Sequence, residues 1–419
     1  MARKQRIQDS WRRVSIVRLA QNAIIAVVTL QVITVIVLWV VAALRRRDKH
    51  EVSFPHLLLG EVRVGDNYLQ LYAYGRDLYA AMLEAIDNAK ESIYLETYIW
   101  KGDAVGQELK EHLARKAEQG VDVYVIFDAF ANLVVPRSFK SFPSCVNRLE
   151  YQPIRRPWHI LDPRRYALEH RKILVVDGST GFIGGYNLGS LYATDWRDTH
   201  LRLRGPVAAD LAHSFVNFWN RSCPEETTIA RHYLRTFDPF ITVRSNDALR
   251  LTFPIRDMYI EAIDRAEHSI LLTNAYFVPD HILLDALKAA AARGVDVRVL
   301  IPWRSNHIVA DWLARGYFTE CLQGGIRIFG YTYAMLHAKT CTVDGHWVTL
   351  GTANLDRLSS IGNFEINVEI YSDELARQMQ ALFKSDTTDM FELTLKGWNG
   401  RPLYTKLSER ILAPLRFFL

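Results

Sequence analysis

The sequence predicts an α/β fold that is built twice, with an apolar helix in front of it. Three observations lead there. The stretch His170–Asn187, HRKILVVDGSTGFIGGYN, returns as His337–Asn354, HAKTCTVDGHWVTLGTAN, at a constant offset of 167 residues. The chain ahead of each copy is repeated as well: EAIDNAKESIYLETYIW (Glu84–Trp100) resembles EAIDRAEHSILLTNAYF (Glu261–Phe277), and GVDVYVIFD (Gly120–Asp128) resembles GVDVRVLIP (Gly294–Pro302). Whole βαβα halves are therefore duplicated, not isolated motifs. The third observation is the uncharged run Ala23–Leu44 near the start.

Length and composition fit this reading. The 419 residues suffice for two domains or one duplicated domain, and 49% apolar with 23% charged residues is ordinary for a folded protein. The net charge of +5 is mild and its basic residues are scattered, so no nucleic-acid partner is expected. Cys145, Cys223, Cys321 and Cys341 form no CxxC pair and no metal-ligand spacing, so free thiols and no structural zinc are expected.

Residues 1–22 form a basic segment carrying six Lys or Arg. The run 23–44 follows, and as a helix it would be roughly 33 Å long, enough for a bilayer core of about 30 Å. Trp39 suits an interface position near one end. A cleaved signal peptide is the rival, but the run is too long and Arg45-Arg46-Arg47 stands where cleavage would have to occur. The expectation is an uncleaved single-pass membrane anchor. Basic residues on both sides of it leave its orientation open.

Beyond the anchor, VGDNYLQLYAYG alternates like an edge strand. Helices are expected from Leu78 and over Gly106–Gln119, with the strand SIYLETYIW between them. GVDVYVIFD reads as a buried parallel strand. The repeat offset falls from 177 to 174 to 167, so the first half is longer ahead of its histidine. The extra residues are placed at Ser138–Glu169, as a loop beside the site. The halves are then 62–223 and 249–382, joined by a polar connector, 224–248, and followed by a tail, 383–419. The tail's apolar residues at helical spacing allow a helix docked on the body or an amphipathic element lying on a membrane.

The duplicated polar residues define the candidate site. On a strand, residues two apart share a face, so His170 points with Lys172 and His337 with Lys339. Asp177 and Asp344 lie seven along, at Asp-Gly turns, where a role in the turn and in local ion pairing outweighs one in the reaction. Asn187 and Asn354 follow the glycines of FIGGYN and TLGTAN; Asp198 and Glu365 each stand 28 residues after their histidine. Two ammonium groups and two amides can stabilise a pentacoordinate phosphorus without a metal. One imidazole can attack phosphorus while the other protonates the leaving oxygen. The two acids can accept the far N–H of the imidazoles and fix their tautomers. A metal site is the other use for two histidines and two carboxylates, but a lysine two residues from each histidine would repel a cation.

At these residues the chain resembles the phospholipase D superfamily, whose signature is HxKxxxxD with a following glycine and asparagine, present twice. The resemblance covers about residues 62–400. It implies that the motifs His170-Lys172-Asp177 and His337-Lys339-Asp344 meet at one pseudo-symmetric catalytic site between the halves. It also implies that one histidine forms a phosphohistidine and the other serves as acid, then base. The closer resemblance is to bacterial cardiolipin synthases, carried by ETYIW, WRDTHLRLRGP, GTANLD and NFEINVEIYSD. Two departures, Ala275 in AYFVPD and the wording of LDRLSSIGNFE, bear on acceptor choice. The implied reaction passes a phosphatidyl group from one phosphatidylglycerol to another with release of glycerol, and needs no cofactor. Hydrolysis to phosphatidic acid, a membrane-tethered nuclease and an inactive scaffold remain as alternatives.

Overall fold

The computed structural model describes residues 18, 21–22, 25–41, 43, 54–154, 157–224 and 227–418. The duplication read from the sequence is visible as two mixed sheets, each of eight strands among the described residues. The first half supplies β1 (Val62–Val64), β2 (Asn67–Tyr72), β3 (Ser92–Thr97), β4 (Asp122–Asp128), β5 (Val146–Tyr151), β6 (Ile173–Val176), β7 (Thr180–Gly184), β8 (Trp196–Arg197) and β9 (His200–Arg204). The second supplies β10 (Ile241–Asn246), β11 (Ser269–Asn274), β12 (Asp296–Pro302), β13 (Arg327–Tyr331), β14 (Met335–Leu336), β15 (Lys339–Val343), β16 (Trp347–Gly351), β17 (Glu365–Tyr371) and β18 (Phe391–Glu392).

The sheet orders are β1-β2-β9-β7-β6-β3-β4-β5 and β10-β17-β16-β15-β11-β12-β13-β18. In each, three parallel strands (β3, β4, β5 or β11, β12, β13) adjoin an antiparallel set that contains the histidine motif. The continuous apolar run of β4 is buried over its last four residues, as expected of a strand covered on both faces. The helices Gly75–Asp87 and Ala104–Glu118 cover the outer face of the first sheet, and Pro254–Arg265, His281–Ala292 and Ile308–Gln323 that of the second. One further core draws on both sheets. It joins Ile173, Ile183, Leu201 and Phe215 of the first half to Val348, Ile366, Val368 and Leu375 of the second.

Two expectations need correction. The segment 138–169 is not one loop: it contains β5, whose Val146, Leu149 and Tyr151 turn inward while Asn147, Arg148 and Glu150 are less buried. The excess length of the first half lies after β5, where 18 residues separate Tyr151 from His170 against 5 between Tyr331 and His337. The boundary drawn at 382 falls inside the helix Asp373–Thr387, and β18 beyond it completes the second sheet at its β13 edge. The remainder of the tail docks: Trp398 is buried with its ring 5.3 Å from Phe318, and Leu412 is fully buried.

Helical backbone runs over 25–41, with Leu38 packed on Trp312, Leu313 and Leu412, and Gln31 Nε2 donating to Ile411 O at 3.2 Å. Among the described residues no helix is long and apolar enough to cross a membrane. Most of the basic segment 1–22 and part of the expected anchor 23–44 lie outside the described residues.

Candidate active site

Two short ladders between the halves build the site. Met335 and Leu336 of β14 pair in parallel with Trp196 and Arg197 of β8. A bridge between Glu169 and Phe364 is the counterpart on the other side of the pseudo-dyad. The next residues along these strands are His337 and Asp198 in one case, His170 and Glu365 in the other. His337 N–H donates to Arg197 O at 2.7 Å, and His170 N–H to Phe364 O at 3.1 Å. Each imidazole is thereby set beside the acid of the opposite half. His170 Nδ1 lies 2.9 and 3.0 Å from the two oxygens of Glu365, and His337 Nδ1 lies 2.6 Å from Asp198 Oδ2.

A carboxylate only accepts hydrogen bonds, so the short Asp198 contact requires a proton on His337 Nδ1. The Lys339 ammonium, 3.0 Å from the same nitrogen, is then a neighbouring charge and donates to His337 O instead. Lys172 Nζ makes the equivalent bond to His170 O at 2.6 Å. With Nδ1 protonated, the Nε2 lone pair of each imidazole is its reactive atom. Tyr98 packs edge-on to His170 at 4.8 Å and Trp196 tilts against His337 at 4.9 Å, which fixes both rings.

Burial sets the charges. His170 is held well below the ordinary histidine range by burial, then by Lys172 and Lys339, and His337 is lowered to about 3 by burial and Lys339. Both are neutral. Burial also lowers Lys172 to about 7 and Lys339 to about 8. The acids diverge. Burial raises Glu365 to about 7, whereas at Asp198 the effect of burial is outweighed by Lys339 and His337, and the carboxyl stays ionised. Gly185 makes room for this acid, since a Cβ there would collide with the Asp198 carboxylate.

His170, His337, Asn187 and Asn354 line one cavity of about 520 Å³. Asn187 Oδ1 accepts Ile99 N–H at 3.2 Å, which turns its NH₂ group away from Ile99, and Asn354 Oδ1 has no partner among the described residues. Lys172 and Lys339 are buried beside the two histidines. Asp177 and Asp344 are not brought into the cavity. Asp177 accepts the N–H groups of Lys90, Glu91 and Ser92, and Asp344 those of Glu267, His268 and Ser269. Both have φ of 51° and are followed by a glycine at positive φ, the pair of left-handed residues that a type I′ turn requires. They act on the turn, as the strand parity indicated, through backbone bonds and not ion pairs.

Several lining residues were not singled out from the sequence. Tyr98, Trp196, Tyr276, Asp356 and Leu415 all face the cavity. Asp356 stood within the quoted GTANLD, but lacking a counterpart in the first half it carried no repeat signal. Among the described residues no group of three or more His, Cys, Asp or Glu side chains is arranged to hold a metal ion.

Comparison with known proteins gives the family. A family model described as "Cardiolipin synthase, PLD-like domain" matches residues 82–219 and 259–387. The chain is 32% identical over 370 residues to the major cardiolipin synthase ClsA of Bacillus subtilis, covering 84% of this chain and 76% of that one. It is 32% identical over 375 residues to a cardiolipin synthase of Listeria monocytogenes, covering 85% and 77%. The crystal structure of a phosphatidylserine synthase from Haemophilus influenzae superposes with a TM-score of 0.64 at 16% identity over 87% of this chain and 95% of that one, which is a likeness of fold. With two such halves, each contributing a histidine to the acid of the other, the chain belongs to the PLD-like cardiolipin synthase family.

Proposed function

We propose that this protein is a phosphatidyltransferase that makes cardiolipin from two molecules of phosphatidylglycerol. The observation that carries the reading is the crossed pair of imidazole–acid contacts in one cavity, with two buried lysines beside them. Four groups of that kind meet the needs of phosphodiester exchange: a nucleophile, an acid, and cations for the phosphoryl oxygens.

His170 Nε2 attacks the phosphorus of the donor. The bond from phosphorus to the glycerol oxygen breaks, and that oxygen takes the proton of the His337 imidazolium. His337 reaches this charged state when an anionic phosphodiester enters between the lysines, and the ionised Asp198 stabilises it. Glycerol leaves behind a phosphatidyl group on His170. A hydroxyl of the second phosphatidylglycerol then gives its proton to His337 Nε2 and attacks phosphorus, and the P–N bond breaks with its electron pair returning to His170. Lys172, Lys339, Asn187 and Asn354 hold the non-bridging oxygens. One phosphodiester is exchanged for another, so no nucleotide enters.

Val278, Val309, Leu313, Leu358 and Leu415 give the cavity an apolar side suited to a lipid. The run 23–44 is the membrane anchor in this reading. Its described part leaves Ile25, Ile33, Ile36 and Trp39 more than half exposed, as lipid-facing side chains would be.

The test uses detergent-solubilised protein and labelled phosphatidylglycerol, with the lipid products separated. Cardiolipin and glycerol in equal amounts are expected, both absent with His170→Ala. Phosphatidic acid as the sole product would replace transfer by hydrolysis.

A further inference from the structure

The two halves can be compared position by position, and the cavity wall is where they part. At two equivalent places the first half has Ile99 and Gly189 where the second has Tyr276 and Asp356, at the offsets of 177 and 167 residues that relate the repeats. Both second-half residues line the cavity. Tyr276 O–H donates to Asn306 Oδ1 at 2.6 Å, and its ring stands 6.2 Å from His337 and 5.5 Å from His307. Asp356 caps the helix Arg357–Ile361 by accepting Ser359 N–H at 2.7 Å on Oδ1. Asn306, His307 and Ser359 also face the cavity. Tyr276 and its partner Asn306 thus stand on the His337 side, with Asp356 near enough to Tyr276 to act on it electrostatically, while the phenol on the other side, Tyr98, packs on His170.

From this asymmetry we infer that Asp356, Tyr276 and Asn306 form a subsite for the glycerol head group, holding its hydroxyls while one oxygen meets His337 Nε2. The inference rests on the phosphatidyltransferase reading above. The chemistry of the patch selects the ligand. A carboxylate, a phenol and an amide offer acceptors and donors side by side, which suits vicinal hydroxyls that each donate and accept. None of the three side chains carries a positive charge, so the patch lacks the cations of a second phosphoryl site. Departing and arriving glycerol groups use the same place, because the second step retraces the first with a new alcohol. A patch beside His337 therefore serves both steps and leaves His170 as the nucleophile. Rejecting an alcohol that lacks the expected hydroxyls leaves buried polar groups unpaired, and such sites discriminate by large factors.

The experiment supplies phosphatidylglycerol as donor together with equal concentrations of deuterated glycerol and methanol, with ethanolamine in a parallel reaction. The labelled phosphatidyl products are counted by mass spectrometry. The ratio of adducts is read, so overall rate does not enter. The native protein is expected to favour glycerol, and Asp356→Asn, which keeps the helix cap, to lower the glycerol-to-methanol ratio at least tenfold. Asn306→Ala, which removes the partner of Tyr276, should lower it in the same direction. An unchanged ratio in both variants overturns the subsite, as does a preference of the native protein for ethanolamine, which would make Asp356 an amine site. Loss of all transfer in both variants would assign these side chains to the chemical step and overturn it too. Transfer to no alcohol by the native protein would overturn the transferase reading, and the subsite with it.

Discussion

The crossed acid–imidazole pairs are not equivalent, and amide substitutions separate them. In Asp198, Oδ1 accepts Thr199 N–H at 2.7 Å while Oδ2 accepts His337 Nδ1–H at 2.6 Å. Asp198→Asn must keep its oxygen on the Thr199 N–H, because a backbone donor cannot turn into an acceptor. The amide NH₂ is then aimed at His337 Nδ1, which has to give up its proton. The imidazole adopts the other tautomer, with a proton on Nε2, and can no longer take one from the incoming alcohol. Loss of the right tautomer in a histidine–acid pair costs about 10⁴-fold in the serine-protease case. We expect kcat to fall here by about 10³–10⁴, or about 4–5.5 kcal/mol at about 1.4 kcal/mol per decade.

Glu365→Gln meets a softer environment. One Glu365 oxygen accepts the Thr352 hydroxyl at 2.6 Å, and a hydroxyl can rotate to accept instead. Thr352 Oγ1 also lies 3.3 Å from Ile366 O, which can receive the hydroxyl proton once it turns. The glutamine can therefore point its NH₂ group at Thr352 and keep its oxygen on His170 Nδ1. Glu365 titrates near 7, so the side chain is already partly neutral at physiological pH. A loss of about tenfold or less is expected. The assay is kcat for cardiolipin formation in mixed micelles at saturating phosphatidylglycerol, with circular dichroism melts to verify folding. Equal losses in the two variants, or a loss below tenfold in Asp198→Asn, would refute the tautomer argument.

Lys172 and Lys339, at about 7 and 8, lose charge as pH rises, so KM for the anionic lipid should climb between pH 7 and 9 by up to about tenfold per unit for each titrating lysine; Lys172→Arg should flatten the lower part of this profile. Asp344→Ala strips the acceptor from three N–H groups and should destabilise the fold by about 1–3 kcal/mol, read as a lowered midpoint in urea, while kcat of the folded fraction stays within about threefold. Asp386→Ala leaves Arg197, which donates to that carboxylate at 3.0 and 2.6 Å across the halves, buried without its counter-charge. A cost of about 3–5 kcal/mol is expected, and a loss under about 1 kcal/mol in the same urea titration would show that the pair does not hold the halves together.

What the sequence made legible follows from what duplication preserves. Backbone periodicity was copied with the repeat, so β11 and β12 could be matched to β3 and β4, and the turn role of Asp177 and Asp344 followed from the Asp-Gly turns and strand parity. β5 was missed because the successive polar residues Asn147 and Arg148 break its apolar alternation, and it runs into a segment rich in Arg and Pro. The tail was cut at 382 because β18 is only two residues long, too short for any periodic signal. The partner of each histidine was not legible at all. Asp198 is closer in sequence to His170, yet it bonds His337, because the inter-half ladders at β8–β14 and Glu169–Phe364 decide the matter over separations of 139 and 195 residues.

That crossing has a consequence for how the site could become asymmetric while its frame stayed paired. Neither half holds a complete imidazole–acid pair, so each half fixes the tautomer of the other's histidine and the shared core must be closed before either ring is set. The frame that does this is constrained twice over, since a change in one ladder displaces a histidine of one half and an acid of the other. The cavity wall carries no such double constraint. Tyr276 and Asp356 pair in no ladder, so these wall positions can depart from Ile99 and Gly189 of the first half. The acids differ as well: Asp198 is kept ionised by Lys339 and His337, while burial raises Glu365 to about 7. An ionised partner favours the imidazole that must carry a proton, and a near-neutral one favours the imidazole that must keep a lone pair. The division of labour between two copied histidines thus follows from the different charge states of their partner acids and not from the motifs they share.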